Sequence, residues 1–105
     1  MKLLQVDFDF AGPFGDEMAD MFAGLAESIS NEPGIIWKIW TESHEHQLGG
    51  GIYLFEDEAS ASAYLKMHSA RLQNMGVKEV RGLIFDVNIP LSTITKGPIA
   101  QTSSQ

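Results

Sequence analysis

The chain has 105 residues, room for one domain with a core of its own. Hydrophobic residues make up 44% and charged residues 20%, and no apolar run approaches the roughly 20 residues that cross a bilayer, so neither a disordered chain nor a membrane span is indicated. A net charge of −7, with seven scattered Lys and Arg, argues against nucleic acid as a partner, and the absence of cysteine removes disulfides, thiolate catalysis and Cys-based metal sites.

Along the chain, residues 3–10 alternate, with Leu4, Val6, Phe8 and Phe10 on one side and Gln5, Asp7 and Asp9 on the other, the pattern of a strand with one buried face. Gly12-Pro13-Phe14-Gly15 breaks it, and Asp16 is placed to cap a helix running to about Ser30, whose Met18, Met21, Phe22, Leu25 and Ile29 share one stripe. Asn31-Glu32-Pro33-Gly34 stops that helix. Ile35 to Glu42, rich in β-branched and aromatic residues, is a second strand. Its two parity sets are Ile35, Trp37 and Ile39 against Ile36, Lys38 and Trp40. A polar turn over Ser43–Gln47 leads through Gly49-Gly50-Gly51 into a third strand ending at Phe55; glycines there mark a bulge or a close approach to the backbone. A second helix opens at Glu56-Asp57-Glu58, carries Ala61, Tyr64, Leu65, His68, Leu72 and Met75 on one stripe, and ends at Gly76. A fourth strand covers Val77 to about Asn88. Residues 1–95 therefore form the expected domain, and 96–105 a flexible C-terminal tail.

This βαββαβ order predicts an α+β domain of the ferredoxin-like split βαβ type, a four-stranded antiparallel sheet with two helices on one face. The other face is bare yet partly apolar, which calls for a second copy of the chain to cover it. The acidic chain without a sustained apolar leader carries a cytoplasmic address as the default expectation.

His68 falls in the middle of an apolar helical stripe and so points at the sheet. It is either a hydrogen-bonded core histidine or a base or proton donor in a cavity between helices and sheet. Tyr64 and Arg71 flank it as candidates to hold an anionic or phenolic ligand, although an arginine at a helix edge also serves by reaching solvent. Trp37, Trp40 and Tyr53 are candidate walls for a planar ligand, and equally candidates for core or interface packing. His44-Glu45-His46 on a polar turn lacks a third metal ligand, and no cofactor motif is present.

Four sets of residues carry a resemblance. Ala11-Gly12-Pro13-Phe14-Gly15-Asp16, Glu32-Pro33-Gly34 with Trp37-Lys38 and Trp40-Thr41-Glu42-Ser43, Gly50-Gly51-Ile52-Tyr53-Leu54-Phe55, and His68 with Ala70-Arg71-Leu72 closely resemble the YdhR family, described as "putative mono-oxygenases", over about residues 3–95. The resemblance implies a homodimeric α+β barrel related to the antibiotic-biosynthesis mono-oxygenases, with a cavity between sheet and helices in each subunit. It also implies oxidation of phenolic compounds with no metal or flavin, the deprotonated substrate itself reducing oxygen, with His68 as base and Arg and Tyr holding the oxyanion. Haem-degrading relatives are less similar: their Asn on the first strand and Trp on the third have no counterparts in Val6-Asp7-Phe8 and Tyr53-Leu54-Phe55. The implied partners are a second copy of the chain and a small aromatic or apolar ligand; the runner-up function is non-catalytic binding of such a ligand.

Overall fold

In a computed structural model, which describes residues 1–99, the chain forms a four-stranded antiparallel sheet in the order β2-β3-β1-β4. The strands are β1 (Lys2–Asp9), β2 (Ile35–Ser43), β3 (Leu48–Phe55) and β4 (Val80–Asp86); the helices are α1 (Gly15–Met21), α2 (Ala23–Ser30), α3 (Glu58–Asn74) and α4 (Ile89–Ile94). This is the ferredoxin-like arrangement that the element order predicts, with β2 and β4 as the edges.

Register divides the sheet into two faces. Leu4 lies opposite Tyr53 and Ile84, and Val6 opposite Gly51 and Gly82; with Phe8, Phe55, Ala61, Tyr64, Leu72 and Ile29 these residues build the core beneath the helices. The opposite face carries Asp7 and Asp9, both reached by Arg81, at one end and apolar residues at the other, where Ile39 and Leu83 are 51% and 61% exposed. No helix among the described residues is long and apolar enough to cross a membrane.

Four details depart from the sequence expectation. The first helix is interrupted at Phe22, whose backbone leaves helical geometry, so α1 and α2 are separate segments. Asp16 sits inside the first turn instead of capping it; the Gly15 N–H donates to Glu42 Oε1 at 2.8 Å, so the β2 edge supplies the cap. In β2 a bulge between Ile35 and Trp37 puts Ile35 on the same face as Lys38 and Trp40, leaving Trp37 on the other. Finally, residues 89–94 are helical, and the chain then crosses the open face from the β4 edge to the β2 edge, where the Trp37 indole N–H donates to the Pro98 carbonyl at 2.7 Å and Ile99 is buried. Within the expected tail, Pro98 is thus tied to the sheet and Ile99 is buried; 100–105 lie outside the described residues.

Turn chemistry explains the joints. Gly34 has φ +79°, and a Cβ there would collide with the Ser60 side chain, so the α2–β2 turn needs glycine and fits tightly against the start of α3. Asp57 caps α3 by accepting from the Ser60 N–H at 2.8 Å. That cap fixes the rotation of α3, and with it the direction in which His68 points.

Candidate functional site

His68 is only 3% exposed, the one buried polar residue among the described residues. It projects from α3 between two tyrosines: its ring stacks on Tyr64, with centroids 5.0 Å apart, and meets Tyr53 edge-on at 6.4 Å. The Tyr64 hydroxyl donates to the Tyr53 hydroxyl at 3.2 Å. Arg71, one turn further along α3, reaches back and places Nε at 3.3 Å and Nη2 at 2.9 Å from His68 Nδ1.

That contact decides the tautomer. A guanidinium has donors only, so Nδ1 must accept, and the neutral ring carries its proton on Nε2. Burial, with the nearby charges of Lys38 and Arg71, lowers the His68 pKa to about 3, so the ring is neutral at ordinary pH and presents an N–H donor. The arrangement suits stabilising a developing oxyanion better than accepting a proton.

Lys38 is the second unusual group. From β2, opposite Tyr53, it runs beneath the helices with Nζ 3.4 Å from the Trp40 ring centroid and 4.6 Å from that of Tyr53. No carboxylate pairs with it among the described residues. Desolvation, and then the Arg71 charge, lower its pKa to about 7. Burial pushes the Tyr53 and Tyr64 phenols upward, so both remain protonated donors. The glycine run makes room for this: a Cβ at Gly51 would lie 2.6 Å from Lys38 Cε, and one at Gly49 would press on Phe10.

The space at the centre is small. A chamber of about 20 Å³ is lined by His68, Lys38, Tyr53, Trp40, Phe8 and Phe22, among others, enough for about one water. Two larger clefts share its walls, one of about 320 Å³ against α1, α2 and Trp40, and one of about 840 Å³ between the end of β1 and the α3–β4 turn. Phe22, at the break between α1 and α2 and stacked on Trp40 at 6.1 Å, borders all three.

Of the residues singled out by sequence, His68, Tyr53, Tyr64, Arg71 and Trp40 therefore converge, while Trp37 lies on the opposite face with Pro98. Lys38 and Phe22 join them, although the sequence pattern marks neither as a site residue. The signal for Lys38 was a single charge in an otherwise apolar parity set; for Phe22 there was none.

The chain matches the family described as "Putative mono-oxygenase ydhR" over residues 3–98. It belongs to that family. Among solved structures, it is similar to one described as a "putative antibiotic biosynthesis monooxygenase" from Deinococcus radiodurans, with a TM-score of 0.61 and 8% identity over 84% of this chain and 93% of that one. It is also similar to a protein described as YJCS, with a TM-score of 0.58 and 18% identity over 83% of this chain and 97% of that one. At such identities the likeness establishes the fold alone. None of the curated proteins matches the chain.

Proposed function

We propose that the protein is a cofactor-independent mono-oxygenase acting on an aromatic or apolar small molecule whose acidic C–H or O–H is ionised in the site. Lys38 takes the proton, and His68 Nε2–H with the tyrosine pair holds the oxygen that becomes negative. The anionic substrate then reduces O₂: a CH₂ group and O₂ give C=O and water, one oxygen atom entering each product. The observation that carries this reading is the Arg71 contact to His68 Nδ1 beside an amine that, among the described residues, has no carboxylate partner. His68, which the family resemblance implies as base, acts here as the donor, because its other nitrogen is already occupied.

The test is oxygen uptake with a panel of hydroquinones and anthrones. The wild type is expected to consume O₂ in step with product, and His68→Ala to lower kcat about 100-fold, the usual cost of losing one oxyanion donor. Uptake unaffected by His68→Ala sinks the assignment. The second reading, a non-catalytic binding protein, is favoured by the small size of the chamber beside an apolar 320 Å³ cleft; binding of the panel without uptake would establish it.

We further infer a cytoplasmic homodimer. Ile39, Leu83 and Phe85 on the open face, with Leu91 and Ile94 on α4, are all at least 42% exposed, more apolar surface than a monomer usually presents. Sedimentation is expected to give about twice the 11.5 kDa chain mass, and Leu83→Asp a monomer; a wild type of 11.5 kDa at micromolar concentration overturns the dimer.

A further inference from the structure

Lys38 faces two spaces at once. On one side is the one-water chamber at His68; on the other is a groove of about 170 Å³ between α2 and β2, walled by Ala26, Ile29, Ile35 and Trp40. A cavity of about 150 Å³ holds a benzene ring, so the groove admits one aromatic ring beside Lys38 and Trp40, the ring over which the amine sits.

We propose that Lys38 is a covalent site for single-ring aromatic aldehydes, which enter by the α2–β2 groove and form an imine with Nζ. The Nζ lone pair attacks the carbonyl carbon, and the carbonyl oxygen takes up a proton to give a carbinolamine. The C–O bond then breaks, and the oxygen leaves as water carrying both protons that began on the amine. No oxidant or reductant takes part. The chamber has room for the one water released.

The surroundings keep the amine in its nucleophilic form. From α3 it faces neutral His68 and feels the Arg71 charge; from β3 it faces Tyr53, which is hydrogen-bonded to Tyr64; α1 and α2 contribute the apolar Met18 and Leu25 with Phe22 between them. Glu32 is the acid felt at Tyr64, and it forms no ion pair among the described residues. With a pKa near 7, Lys38 offers free amine at neutral pH, where an exposed lysine offers almost none. The inference shares with the oxygenase reading only the uncharged state of Lys38, and it does not require oxygen.

The experiment is anaerobic labelling of the intact wild type with benzaldehyde and cyanoborohydride at neutral pH, followed by peptide mapping of the five lysines. Lys38 is expected to acquire the benzyl group about ten-fold or more faster than Lys2, Lys66, Lys78 and Lys96. In Lys38→Arg the adduct disappears from that peptide while the other four label as before. Labelling of Lys38 no faster than that of the other four overturns the proposal, and the comparison is internal to the wild-type chain, so it survives a variant that does not fold. Fast labelling in a protein that consumes no oxygen leaves the imine site standing and removes the oxygenase.

Discussion

Replacing Lys38 by methionine is expected to lower kcat for oxygen uptake by about 100-fold at neutral pH, the scale of a lost general base, while leaving a folded protein. Methionine fills the same tunnel between Trp40, Tyr53 and Gly51 with an apolar stem of similar length, so the packing under α3 is kept. The pH profile separates the chemistry from the packing. The amine is the active form, and it appears as pH rises through about 7, so the wild-type rate climbs on the acid side and levels off above that point. Lys38→Met has no such limb, and any remaining rise follows the ionisation of the substrate alone. Lys38→Arg retains a cation for the oxyanion but cannot accept a proton near neutrality, so it stays slow across the same range. A Lys38→Met enzyme that keeps the wild-type profile removes Lys38 from the reaction.

What the sequence made legible follows from which patterns have a period. β1 alternates strictly, so its buried face is read directly, and the α3 stripe by itself turns His68 toward the sheet. The bulge in β2 was hidden because Ile35 and Ile36 are adjacent and equally apolar, so nothing in residue type says where the parity slips. That slip separates Ile35 from Trp37 and turns Lys38 inward. A lysine in a strand ordinarily reads as solvent-facing, and only the space above Gly51 makes the inward position possible. The break at Phe22 has no proline to announce it, and the nearby Gly24 lies within α2. α4 spans six residues, too few for a helical period to show, and the crossing to Trp37 depends on a backbone carbonyl that has no signature in sequence.

The three glycines of β3 do different work, and substituting them one at a time tells structure from function. Gly50 sits mid-strand between Asp7 of β1 and Thr41 of β2. A Cβ there would overlap the Val6 carbonyl oxygen and lie 2.9 Å from the Asp7 Cα, and neither can rotate away, because both belong to the paired backbone of the neighbouring strand. Gly50→Ala must therefore pry β1 from β3 in the middle of the sheet. The cost is expected at the upper end of overpacking, about 3 kcal/mol, which for a domain of this size lowers Tm by roughly 15 °C. Gly51→Ala meets the Lys38 Cε and the edge of the Tyr53 ring, and the lysine stem can swing. It should cost less stability than Gly50→Ala yet push Nζ off the Trp40 ring and out of reach of the chamber, so activity falls further than Tm does. Thermal melts set beside oxygen uptake for the two variants measure both terms. If Gly51→Ala keeps full activity, the inward position of Lys38 is dispensable, and if Gly50→Ala melts with the wild type, the close approach of β1 to β3 is not what requires glycine there.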